Sequence, residues 1–180
     1  MNIREAGKTI LYFLILAAIL FGLRQFVFTP VIVKGDSMDP TLADGERVIA
    51  LKNTEVKRFD IVTFPAPDDE GKNYIKRVIG LPGETLEYKN DVLYINGKKI
   101  DEPYLEEYKD KLSDNQPLTY DFDIKDLLGS EKIPKGQLVV LGDNRRISKD
   151  SRMIGTIKEK DIMADVKLVF WPLNRFGTVD

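Results

Sequence analysis

Val92-Leu93-Tyr94-Ile95-Asn96-Gly97-Lys98-Lys99-Ile100 reads as a β-hairpin. Two β-prone runs flank Asn-Gly, and a tight two-residue turn needs positive φ at both central positions, which Asn and Gly tolerate best. Runs of the same kind recur outward along the chain, at 47–51, 60–64, 74–79, 85–88, 137–141 and 166–170, with a period near two and turn-forming residues between them. The expectation is a β-dominated domain. From residue 101 to 134 the composition changes to ten acidic and four basic residues, interrupted by Pro103, Pro117, Gly129 and Pro134. That segment reads as a solvated insertion carrying no chemistry, with a helical turn near 124–128.

Ahead of the strands, residues 9–23 carry no charge. Together with Phe26-Val27-Phe28 the apolar character extends over about twenty residues, the length that spans a bilayer as a helix. The bulky Leu23-Arg24-Gln25-Phe26-Val27-Phe28 offers no small-x-small cleavage site, so residues 1–28 read as an uncleaved anchor rather than a removed leader. Arg4 and Lys8 favour a cytoplasmic N-terminus, which puts residues 29–180 on the extracytoplasmic side. Phe170-Trp171-Pro172 suits either a lipid-docking position near the anchor or the core.

Gly35-Asp36-Ser37-Met38-Asp39-Pro40-Thr41-Leu42 follows the apolar run Val31-Ile32-Val33 and puts Ser37 on a bend at a strand end, where a substrate can reach a hydroxyl. The same residues suit an ordinary turn. The chain has no histidine and no cysteine, which excludes a Ser-His-Asp triad, cysteine nucleophiles, thiolate zinc sites and disulfides. If Ser37 is a nucleophile, lysine is the remaining common base. A net charge of −2 gives no electrostatic footprint for nucleic acid. Neither a metal nor a cofactor is expected.

Lys76 lies in the middle of the apolar run Tyr74-Ile75-Lys76-Arg77-Val78-Ile79, with Tyr74, Lys76 and Val78 on one face. Either it faces water from a solvated edge strand, or it is buried, and burial depresses an amine's pKa towards the range of a general base. Gly142-Asp-Asn-Arg-Arg-Ile-Ser-Lys-Asp-Ser-Arg152 follows the run at 137–141 and is dense in side chains that bond their own loop. It offers Asp150 with Arg152, and Asp143 with Arg77, as ion pairs, or it is simply a capped surface loop.

These stretches in this order, with Arg58-Phe-Asp-Ile-Val62 between them and the anchor before them, resemble the conserved boxes of bacterial type I signal peptidases across nearly the whole chain. The resemblance implies two antiparallel β-sheet domains, the smaller inserted in the larger at about 88–134. It implies a membrane-bound Ser-Lys endopeptidase that removes signal peptides from preproteins at Ala-x-Ala-like sites. Ser37 would be the nucleophile, Lys76 the base, Ser148 the group orienting the lysine, and Ser151 a residue lining the site. The pairs Asp150–Arg152 and Asp143–Arg77 would support them. Some relatives carry a serine two residues before the nucleophile that helps bind the oxyanion. Here that position is Gly35, leaving the Ser37 amide with a water or the Gly35 backbone. By position, Val31, Val33, Met38, Leu42, Tyr74 and Ile75 are candidates for shallow substrate pockets. A self-cleaving Ser-Lys regulator and an inactive, membrane-anchored partner-binding β-domain are the competing functions.

Overall fold

The computed structural model describes residues 3–114 and 116–179; Met1, Asn2, Asn115 and Asp180, at or within the limits of the expected segments, lie outside them. Helix α1, Ile3–Phe26, forms because no proline interrupts its ladder and its residues are mostly good helix formers. The stretch Gly7–Phe26 has a mean hydropathy of 1.9, and none of it is buried against the rest of the protein. A helix that is apolar all round and covered by nothing needs an apolar solvent, which a bilayer supplies. Its last carbonyls are capped from elsewhere in the chain. Lys52 Nζ donates to Arg24 O at 3.3 Å and to Gln25 O at 3.0 Å, and Asn53 Nδ2 donates to Phe26 O at 3.4 Å.

The chain then runs through strands β1 (Phe28–Ile32), β2 (Arg47–Leu51), β3 (Ile61–Pro65), β4 (Asn73–Gly80), β5 (Leu86–Lys89), β6 (Val92–Ile95) and β7 (Lys98–Ile100). Two short helices, α2 (Glu106–Asp110) and α3 (Ile124–Leu128), flank β8 (Phe122–Asp123). After β9 (Gln137–Leu141) come α4 (Ser151–Ile154), β10 (Ile157–Lys158), β11 (Ala164–Trp171) and β12 (Gly177–Thr178). The larger sheet has the order β1-β2-β11-β3-β4-β9-β10, with β12 on β11, and the smaller has the order β7-β6-β5-β8. All pairings are antiparallel. The smaller sheet is built from chain that leaves the larger after β4 and returns to it at β9. Asn96 and Gly97 have φ of 50° and 73°, as a two-residue turn between β6 and β7 requires.

Three apolar clusters hold the layers together. One joins Val48 and Ala50 of β2 to Ile61 of β3 and Val166 and Val169 of β11, and closes over Met38 and Leu42. A second packs Val62, Phe64, Val78 and Val140. The third, with Ile79, Val139 and Leu141 from the larger sheet and Leu86, Tyr88, Leu93 and Ile95 from the smaller, joins the two sheets.

Two expectations need correction. The segment 101–134 is not merely solvated. Leu105, Leu118 and Thr119 are fully buried, because the segment folds back over the sheet junction and fills it. There Glu102 pairs with Arg145 at 2.5 Å, with both side chains almost wholly enclosed, and the same carboxylate accepts from Tyr88 and Tyr104 hydroxyls at 2.7 and 2.6 Å. Trp171 is not core. It is half exposed and pairs with Arg47, at the strand end remote from the Phe28–Leu51 pair beside α1, because Pro172 ends the strand there.

Glu102→Ala strands the Arg145 guanidinium without its carboxylate in a dry site, which costs roughly 3–5 kcal/mol. Thermal unfolding of the detergent-solubilised chain is therefore expected to start lower, with a Tm drop on the order of 10 °C. A drop below about 2 °C would show that the pair does not hold the sheets together.

Candidate active site

Ser37 opens a tight turn in which Leu42 N–H donates to Met38 O at 2.9 Å. The bend before it is made by Gly35, whose φ of +78° few other residues adopt without strain. The Gly35 N–H donates to Asp44 Oδ1 at 2.7 Å and is therefore engaged, so the expectation that it helps bind an oxyanion is not met. The Ser37 N–H donates to no protein acceptor among the described residues.

Lys76 sits on an inner strand of the larger sheet, paired with Val62 of β3 on one side, while on the other β9 pairs with β4 only from Arg77 onward. Its side chain is only 3% exposed, which excludes the reading that it faces water. The amine lies 2.7 Å from Ser37 Oγ and donates to Ile75 O at 3.0 Å, with the Tyr74 ring centroid 5.2 Å away. Burial lowers the Lys76 pKa to about 8, against the opposing pull of the Asp150 and then the Asp143 carboxylate.

The loop after β9 presses against this pair. Asp143 receives Arg77 at two points, Nε to Oδ1 at 3.0 Å and Nη2 to Oδ2 at 2.8 Å, and Thr41 Oγ1 at 2.5 Å. Arg77 also donates to Phe59 O at 2.9 Å and lies 3.8 Å from the Tyr104 ring centroid. Asp150 accepts Gly142 N–H at 3.1 Å and holds Arg152 through Nε at 2.8 Å and Nη2 at 2.7 Å. Ser151 does not line the site. Its hydroxyl accepts Val140 N–H at 2.9 Å and fastens α4 to β9. Ser148 Oγ is buried without a hydrogen-bond partner among the described residues, so it does not bond Lys76 in this structure.

The geometry is that of a serine hydroxyl facing a dry amine. A family model described as signal peptidase, peptidase S26, matches residues 4–171. The chain belongs to the S26 signal peptidase family. It is 45% identical over 181 residues to signal peptidase IB of Staphylococcus aureus (strain Mu50), covering 96% of this chain and 93% of that relative. It is 47% identical over 159 residues to signal peptidase I of Bacillus caldolyticus, covering 86% of each. A crystal structure of a signal peptidase I from Enterococcus faecalis V583 matches with a TM-score of 0.59 and 43% identity, over 62% of this chain and 97% of that one.

In this S26 chain a groove of about 700 Å³ leads to Ser37 and Lys76. One wall is β1 and the residues after it, and the other is Asn73–Lys76 of β4. Val31, Val33, Met38, Tyr74 and Ile75 line it. Leu42 does not; the turn that starts at Met38 carries it away from the groove, and it is fully buried in the core beside Val48 and Val166. Ile147 and Lys149 of the loop after β9 and Met163 just before β11 also line the groove and were not singled out from sequence, because none carries a local signal and only the tertiary fold brings them there.

Gly142 is tied to the nucleophile by lack of space. A Cβ at this position would overlap the Ser37 carbonyl oxygen and the Ser148 hydroxyl. Gly142→Ala is expected to displace the Ser37 turn and lower kcat on a preprotein about 100-fold, the usual consequence of a misplacement near 1 Å. Retention of kcat within threefold of wild type would show that the turn yields without displacing Ser37.

Proposed function

We propose that this chain is a membrane-anchored serine endopeptidase that removes signal peptides from preproteins, with Ser37 as nucleophile and Lys76 as general base. The observation that carries the roles is the 2.7 Å contact between Ser37 Oγ and a lysine amine whose pKa burial lowers to about 8. A partner-binding domain without chemistry would have no need to bury an amine against a hydroxyl. Family membership likewise weighs against a self-cleaving regulator.

Neutral Lys76 accepts the Ser37 proton as Oγ attacks the carbonyl carbon at the cleavage site. The free Ser37 N–H donates to the developing oxyanion. The tetrahedral intermediate collapses, and the proton on Lys76 passes to the leaving amine, the new N-terminus of the mature protein. Lys76, neutral again, takes a proton from water that attacks the ester, and Ser37 Oγ recovers it when the signal peptide departs. Arg77–Asp143 and Arg152–Asp150 hold the strand and loop around the pair. The two carboxylates also keep the amine's pKa from falling further.

The substrate would lie extended in the groove. Among the described residues strand β1 pairs only with β2, so its other edge is open, and β9 pairs with β4 only from Arg77 onward, leaving the Asn73–Lys76 edge open opposite it. A peptide between them would gain main-chain hydrogen bonds, as strands added to sheet edges do. Val31, Val33, Met38, Tyr74 and Ile75 would form shallow pockets for small side chains at alternate positions. Residues 1–28 would cross the lipid with the N-terminus in the cytoplasm, and residues 29–180, including the inserted region at about 88–134, would work outside the cell, on preproteins and not on nucleic acid.

The full chain in detergent is expected to cut a preprotein after the second alanine of an Ala-x-Ala site. Ser37→Ala and Lys76→Ala are each expected to lose on the order of 10⁴-fold in kcat or more. Because the neutral amine is the base, kcat/KM of the wild type should rise with pH through a midpoint near 8. Full activity in Lys76→Ala, or cleavage after large side chains, would contradict the proposal.

A further inference from the structure

Asn144 holds both peptide groups that flank Ser37. Its side-chain Nδ2 donates to Asp36 O at 3.1 Å, and its backbone N–H donates to Ser37 O at 3.1 Å. Asp36 C=O and Ser37 N–H belong to one planar trans peptide and point in opposite directions. Whatever fixes the carbonyl therefore fixes where the N–H points. The need for such a fixture comes from the neighbouring residues. Gly35, immediately before Asp36, imposes little conformational preference, and both residues are exposed; within the turn itself the Asp36 carbonyl accepts the Asp39 N–H at 3.2 Å, and the Asn144 amide is its tie to the rest of the fold.

The amide of Asn144 is itself oriented. Its Oδ1 accepts the Tyr108 hydroxyl at 2.8 Å, which leaves the NH₂ end facing Asp36 O. Tyr108 belongs to α2, between β7 and β8 of the smaller sheet. Asn144 is only 8% exposed, so water competes poorly for its two side-chain bonds. The chain of contacts runs from the inserted region through Tyr108 and Asn144 to the peptide whose N–H belongs to the nucleophile and donates to no protein acceptor among the described residues.

We infer that Asn144, oriented by Tyr108, is a positioning residue that aims the Ser37 N–H at the oxyanion of the tetrahedral intermediate. The inference rests on Ser37 being the nucleophile. It gives the inserted region a part in catalysis: α2 sets the polarity of the oxyanion-binding peptide, although it does not touch substrate. Because Gly35 offers neither a hydroxyl nor a free N–H there, a larger share of oxyanion stabilisation falls to this single amide, and its direction matters accordingly.

The test compares wild type, Asn144→Leu, Tyr108→Phe and Ser37→Ala as full chains in detergent, on a preprotein with an Ala-x-Ala site, with kcat and KM measured separately across pH. Leucine matches the size of asparagine and adds no charge that would move Lys76. Asn144→Leu is expected to lose about 100-fold in kcat, as removal of an oxyanion donor does, with KM within twofold and the pH midpoint unchanged. Tyr108→Phe is expected to lose about tenfold in kcat with the same two quantities unchanged. Full kcat in either variant, or a loss that appears as a raised KM or a moved pH midpoint, overturns the inference. If Asn144→Leu does not fold, Tyr108→Phe decides alone by the same criteria. Inactive wild type, or active Ser37→Ala, removes the proposed nucleophile and the inference with it; active wild type beside an unaffected Asn144→Leu removes the inference only.

Discussion

A lysine amine deprived of water is the constraint on which the rest of this structure depends. Moving the Lys76 pKa from 10.5 to about 8 disfavours the charged form by on the order of 3 kcal/mol, so the surroundings must be dry and rigid enough to sustain it. Three features of the fold supply this. The lysine is on a central strand, so β3 closes one side of its backbone. The loop after β9 covers the site, with Asp150 holding Gly142 and Arg152 together. The Ser37 turn comes close enough for its hydroxyl to be the amine's side-chain partner.

The inserted region takes part in this arrangement more than its composition suggests. Arg145 joins the two parts of the molecule. Its Nη1 and Nη2 reach Tyr88 at 2.7 Å, Thr119 at 3.0 Å and Glu102 at 2.5 Å, while its Nε donates to Gly142 O at 3.0 Å. A fully buried guanidinium surrounded by acceptors is a directional tie, since losing any one of them leaves donors unsatisfied. The loop that presses on Ser37 and Lys76 is thus anchored on its far side by the smaller sheet. Flanking contacts run the same way: Arg146 holds Asp114, and Arg77 lies over the Tyr104 ring.

Much of this was legible in the sequence, and the part that was not has a common physical character. Period-two alternation marks 47–51, 92–95 and 137–141 with the bounds the strands have, and Asn96-Gly97 specifies its hairpin, because both signals are local. A lysine in the middle of an apolar strand is conspicuous for the same reason. What local pattern does not carry is the destination of a side chain. The acidic segment reads as solvated by composition, yet Glu102 is buried because Arg145, more than forty residues away, neutralises it. Leu42 lies in the same octet as Ser37 but points to the core, since the turn between them redirects the chain. Ser151 looks as available as Ser148, but the β9 backbone takes its hydroxyl. The roles of Asn144 and Tyr108 depend on long-range hydrogen bonds, from Tyr108 to Asn144 and from Asn144 to the Ser37 peptides, which no spacing rule signals.

The measurement that bears most directly on the account is a titration of the Lys76 amine itself, by NMR of the ¹⁵N-lysine-labelled chain in detergent, with Lys76→Arg used to assign the resonance. A midpoint near pH 8 is predicted, well below the other lysines. A midpoint above about 10, the ordinary range of a solvated lysine, would mean that the amine is charged at working pH and cannot be the base that activates Ser37.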